Sequence, residues 1–185
     1  MISDVTAQME SKMQHALEAS RRDFATIRTG RANPGILDKI MVEAYGQHLP
    51  LNQVATIAAP EPRLLVVSPW DKTLLGAIRN AITRSDLGLN PLPDPNILRI
   101  PLPPLTEERR KELAKMVSKK TEEAKVAVRN VRRDAIEELR KMEKAHDISE
   151  DDLKRAQEQV QKLTDKYILE LDRVHDAKVA EIMEV

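Results

Sequence analysis

The chain has 185 residues, and its 30 Lys and Arg are balanced by 30 Asp and Glu, so its formal net charge is zero. That balance excludes a wholly basic nucleic-acid coat protein, though not a local basic patch. With no cysteine, disulfide frameworks, thiolate zinc sites and thiol nucleophiles are excluded together.

All five Gly lie between Gly30 and Gly88, and all eleven Pro between Pro34 and Pro104. These are the main helix breakers. The two ends, 1–29 and 105–185, therefore predict uninterrupted helix, and the middle predicts strands and turns. The first helix carries Ile2, Val5, Met9, Met13, Ala16, Ser20, Phe24 and Ile27 on one stripe. Strands are predicted over Ile36–Ala44, then, after a hairpin at Tyr45-Gly46-Gln47, over Gln53–Ile57, Leu64–Ser68 and Ile97–Ile100. Between the last two, Ser68-Pro69-Trp70-Asp71 predicts a capped helix running to about Ser85 and burying Leu74, Leu75, Ile78 and Ile82.

Thr106 is expected to cap the second long helix, with Glu107 and Glu108 in its first turn, where the helix dipole favours anions. Its stripe is Leu113, Val117, Thr121, Ala124, Val128, Val131, Ala135, Leu139 and Met142. His146-Asp147-Ile148 reads as a turn, and Ser149 to Asp152 as a capping box opening the third helix. That helix carries Leu153, Ala156, Val160, Leu163, Tyr167, Leu171 and Val174. Three amphipathic helices must bury their stripes together. The expected fold is α+β: a long, discontinuous three-helix bundle (1–30 and 105–185) with a small β/α/β domain inserted at 31–104. The necks, Gly30-Arg31-Ala32-Asn33-Pro34-Gly35 and Pro101-Leu102-Pro103-Pro104, read either as a hinge or as an elbow fixed by packing.

Zero net charge hides an asymmetry. Residues 109–133 carry ten bases and three acids, whereas 134–185 carry nine bases and fifteen acids. On a helical wheel Lys111, Lys115, Lys125, Arg129, Arg132, Arg133 and Arg140 form a ridge about 120° from the apolar stripe. Arg129, Arg132 and Arg133 have no acid at the positions N-terminal to them that would pair within one turn. Arginine favours bidentate phosphate recognition. With only Phe24, Tyr45, Trp70 and Tyr167 as aromatics, such a surface suits the phosphates of structured RNA and not unstacked bases. Arg28 and Arg110 sit beside the two necks. They either cap carbonyls there or extend the ridge.

No catalytic set emerges. Glu143-x-x-His146 and Asp172-x-x-His175 superficially resemble di-iron ligand pairs, but along antiparallel helices they lie roughly 30 Å apart. There is no glycine-rich phosphate loop. No apolar run approaches the ~20 residues that span a bilayer, and no apolar leader opens the chain. The expectation is a soluble cytoplasmic monomer, not an enzyme, with no cofactor, no metal and no membrane partner.

At length the chain resembles the bacterial ribosome recycling factor family. The resemblance is carried by IRTGRANPGILD (27–38), DLGLNPLPDPNILRIPLPPLTEERRKEL (86–113), VRNVRRDA (128–135) and ISEDDLKRAQEQVQKLTD (148–165). It implies an L-shaped molecule that splits the post-termination ribosome with elongation factor G and GTP. It further implies large-subunit rRNA binding through Arg28, Arg31, Arg110, Arg129, Arg132 and Arg133, and a hinge at the two necks. The small domain would face the elongation factor. A coiled-coil scaffold is the rival reading, and it would work through the acidic length of the bundle.

Overall fold

The structure is a computed structural model and describes residues 2–184. Among these residues the elements are α1 (Ile2–Ala25), β1 (Met41–Ala44), β2 (Gln47–Pro50), β3 (Ala55–Glu61), β4 (Leu64–Pro69), α2 (Leu75–Arg84), β5 (Leu92–Asp94), β6 (Ile97–Pro101), α3 (Glu107–Lys144) and α4 (Glu150–Met183). Two compact units result. One comprises the described residues of Met1–Phe24 and Lys111–Val185, and the other is Ala25–Arg110. These boundaries fall outside the expected 30/31 and 104/105. On the N-terminal side the reason is that α1 ends at Ala25 and the segment after it is tied to the other neck, Arg28 Nη2 donating to Pro103 O at 2.6 Å.

In the larger unit α1, α3 and α4 bury one shared core. Met9, Met13, Leu17, Val128, Leu139, Val160, Tyr167 and Leu171 are each 3 % exposed or less. Full burial of each such aliphatic side chain favours folding by about 1.5–3 kcal/mol. Thr106 caps α3 as expected, its Oγ1 accepting from Arg109 N–H at 3.1 Å. The Ser149–Asp152 capping box is also present, and the Ser149 contacts hold the Asp152 carboxyl below its ordinary value.

α3 ends in a Schellman motif. His146 N–H donates to Glu143 O and Asp147 N–H to Met142 O, both at 2.9 Å. This motif needs a left-handed residue, usually Gly, and here His146 takes it at φ 60°. The first helix is shorter than expected: α1 stops at Ala25, not near residue 29.

In the smaller unit Tyr45 and Gly46 turn the β1–β2 hairpin with φ 54° and 74°, as a type I′ turn requires. The four-stranded antiparallel sheet has the order β3-β4-β6-β5. Its pairs Leu65↔Ile100 and Val67↔Leu98 are fully buried in one core with Ile78 and Ile82 of α2. Three local expectations are corrected. The stretch from Ile36 opens not as strand but as a 3₁₀ turn, Pro34–Leu37, capped by Asn33. Ser68 does not cap a helix, because Ser68 and Pro69 pair with Thr56 and Ala55 of β3. Asp71 caps instead, accepting from Thr73 N–H at 3.0 Å and Thr73 Oγ1 at 2.7 Å, and a 3₁₀ turn (Lys72–Leu74) precedes α2. The unexpected β5 is a three-residue edge strand with Pro93 at its centre, where proline is tolerated.

The left-handed His146 generates a prediction. A non-Gly residue there costs about 1–2 kcal/mol, partly offset in a Gly variant by the greater freedom of its unfolded chain. His146→Gly should raise stability by about 0.5–1 kcal/mol in urea unfolding. A loss of stability would show that the imidazole contributes more than the backbone relief.

Candidate nucleic-acid interface

α3 runs 38 residues, about 57 Å at 1.5 Å per residue. Positions seven apart drift only ~20° around a helix, so Ser118, Lys125 and Arg132 form one row. The structure sets this row against α4. Ser118 Oγ meets His175 Nε2 at 2.8 Å. Lys125 pairs with Asp172. Arg132 Nη1 donates to Gln161 Oε1 at 2.9 Å. Each contact closes the seam between two helices whose apolar stripes already hold them together.

The expected ridge therefore does not stand wholly clear of the core. Lys125 is 17 % exposed and ion-paired, and Arg132 Nε is buried without a hydrogen-bond partner. Antiparallel α4 reaches this side of α3, and long cationic stems cover the seam with their heads at its rim. Arg129 is also paired, across two turns, with Glu122 at 3.1 Å. Its side chain stays about half exposed, so this bond carries little net energy. Arg133 is exposed and has no hydrogen-bond or ion-pair partner among the described residues. Arg129, Arg132 and Arg133 thus form a cluster at the i, i+3 and i+4 positions. One member is loosely paired, one is bound to a neutral amide, and one is open.

The other three arginines belong to the smaller unit. Arg28 Nη2 donates to Pro103 O at 2.6 Å, joining the two necks. This is the carbonyl-capping role weighed for it. Burial, and then the like charge of Arg109, hold Arg28 below the ordinary arginine value. The Nε atoms of Arg28 and Arg110 are buried without hydrogen-bond partners. Arg31 is exposed.

The remaining neck residues are ordered by local bonds. Gly30 has φ 85° and packs near Leu105. Asn33 Oδ1 accepts from Gly35 N–H at 2.9 Å, and Gly35 leaves so little room that an added Cβ would meet Ala25 O at 3.2 Å. Ala32 and Pro34 are half-buried, Pro101 ends β6, Leu102 is buried, and Pro103 and Pro104 are exposed.

Several polar residues escaped the sequence reading. Gln161, Asp165 and Ser118 are neutral or acidic positions with no motif of their own. The usable signal was the seven-residue spacing of 118, 125 and 132. Ser118, His175 and Asp176 are hydrogen-bonded in series, with His175 Nδ1 to Asp176 Oδ1 at 2.9 Å. Among the described residues no three His, Asp or Glu side chains are grouped to hold a metal ion, and no helix is long and apolar enough to cross a membrane.

Comparisons with known proteins bear on this arrangement. The family model described as "Ribosome recycling factor" matches residues 20–183. A ribosome-recycling factor of Symbiobacterium thermophilum is 54% identical over 185 residues, and one of Bacillus subtilis is 55% identical, each alignment covering all of both chains. Of solved structures, "Solution structure of the ribosome recycling factor" is similar with a TM-score of 0.81 and 45% identity, covering 100% of this chain and 98% of that one. A second, described as "Models for the T. thermophilus ribosome recycling factor and the E. coli elongation factor G bound to the E. coli post-termination complex", has a TM-score of 0.72 and 47% identity, with both chains fully covered. The match over nearly the whole chain, in sequence and in backbone, carries one conclusion: this chain belongs to the ribosome recycling factor family.

Proposed function

We propose that this protein binds the post-termination ribosome through large-subunit rRNA and, with elongation factor G and GTP, splits it into subunits in the cytoplasm. It acts as a monomer and catalyses no covalent step itself. The observation that carries this reading is the Arg129–Arg132–Arg133 cluster, together with family membership. Phosphate oxygens would complete what these side chains lack. Arg133 is without a partner among the described residues, and the neutral amide on Arg132 leaves its positive charge uncompensated. The family resemblance also assigns rRNA contacts to Arg28, Arg31 and Arg110, which belong to the smaller unit. Partnership with elongation factor G rests on the relative described as bound alongside it.

The mechanism is a lever. The arginines anchor the bundle, the elongation factor displaces the smaller unit, and the helices transmit the displacement because their shared core resists bending. The necks, Gly30 to Gly35 and Pro101 to Pro104, serve as the hinge. The left-handed Gly30 supports this assignment, since it lies in the segment that follows α1, which ends at Ala25, and backbone freedom is greatest at glycine.

Two measurements test the reading. Each phosphate contact adds about one to the slope of log affinity against log salt. Arg132→Ala should therefore weaken co-sedimentation with ribosomes and lower that slope by about one. Unchanged affinity and slope would remove Arg132 from the anchor. Binding carried by the acidic length of the bundle would instead survive this change and support a scaffold. For the hinge, Gly30→Val places a branched residue at φ 85°. It should leave ribosome affinity within about twofold while slowing subunit splitting several-fold, roughly the effect of 1 kcal/mol of backbone strain. Splitting at the wild-type rate would contradict the hinge.

A further inference from the structure

Gln161 and Asp165 both lie on α4, within the stretch 148–165. The structure joins them to Arg132 in series. Arg132 Nη1 donates to Gln161 Oε1 at 2.9 Å, and Gln161 Nε2 donates to Asp165 Oδ1 at 2.8 Å. An ionised carboxylate only accepts hydrogen bonds. Asp165, one turn on from Gln161 in α4, therefore holds the amide nitrogen and turns the amide oxygen towards the guanidinium. Gln161 is the sole hydrogen-bond partner of Arg132 among the described residues.

The neighbouring cations show what the neutral amide changes. Lys125 and Arg129 bond to Asp172 and Glu122, whose carboxylates cancel part of their charge. At Arg132 an acid could stand in the same place, and a glutamine does instead. An amide restrains the side chain without neutralising it. The carboxylate that fixes the amide is kept one bond further away.

We propose that Gln161, oriented by Asp165, is a positioning residue that presents Arg132 to an anionic partner at full charge. The inference rests on the reading of Arg132 as a phosphate contact. It goes beyond that reading in assigning the restraint to α4 and in giving the neutral side chain at 161 a reason. Pre-ordering one long side chain removes an entropic cost of binding.

The test measures ribosome affinity against salt, with melting temperature in parallel, for Gln161→Met and Gln161→Glu, each alone and combined with Arg132→Ala. Methionine keeps the length and apolar stem but removes the acceptor. Gln161→Met should weaken binding about three- to tenfold with the salt slope unchanged, because the charge remains and only its restraint is lost. Gln161→Glu keeps an acceptor but adds a charge, and should lower the slope by about one. Both effects should vanish in the Arg132→Ala background, which a loss of bundle stability alone would not produce. Equal losses in both backgrounds, or wild-type affinity for Gln161→Met where Arg132→Ala binds weakly, would overturn the proposal alone. Wild-type affinity for Arg132→Ala would overturn the underlying reading and this proposal with it.

Discussion

Everything in the larger unit depends on burying three apolar stripes at once. None of α1, α3 or α4 is apolar all round, so none can shield itself, and each stripe is covered only by the other two. The shared core holds α3 over about 57 Å at 1.5 Å per residue. It also fixes which residues of α3 and α4 can meet. The turn between them sets the register twice over, through the Schellman end at His146 and the capping box at Ser149. With that register fixed, a row of residues spaced by seven on α3 faces His175, Asp172 and Gln161 in turn. The arginine cluster is where it is because the apolar core put it there.

The electrostatics follow from the same geometry. The chain is neutral overall, yet its bases concentrate on the first two-thirds of α3 and its acids beyond. Antiparallel pairing brings acids of α4 back alongside the bases of α3, so part of the ridge is neutralised. Lys125 is taken in this way by Asp172 of α4, while Arg129 is loosely held by Glu122 of α3 itself. Arg132 and Arg133 are left with their charge. The anion-binding character of the face is thus narrower than the count of basic residues implies, and it centres on arginines, whose planar donors match phosphate.

Much of this was legible in the sequence because it rests on local chemistry. Apolar residues at helical spacing located Met9, Val117, Val128, Leu139 and Val160 in the core. Ser149 and Asp152 announced a helix start, and Tyr45-Gly46 a tight hairpin. What was not legible required knowledge of neighbours. Ser68-Pro69 has the local signature of a helix start, but pairing with Thr56 and Ala55 of β3 claims both residues as strand. Lys178 lies four residues beyond Val174, where the apolar stripe read from the sequence stops. It is 6 % exposed, with its ammonium 3.4 Å from Glu181, and burial lowers its pKa. Gln161 carried no local chemical signal, since its meaning lies in a contact 29 residues away in the chain. The family resemblance pointed to Arg132, but only the structure showed what holds it.

The central claim is that this chain separates ribosomal subunits with help from elongation factor G, and one measurement addresses it directly. Post-termination ribosomes mixed with the protein, elongation factor G and GTP would be followed by light scattering. The account predicts a fall in scattering that requires all three additions and disappears when any one is left out. Scattering that stays level, while an active recycling factor splits the same ribosomes, would contradict it and leave the fold and family membership without the proposed activity.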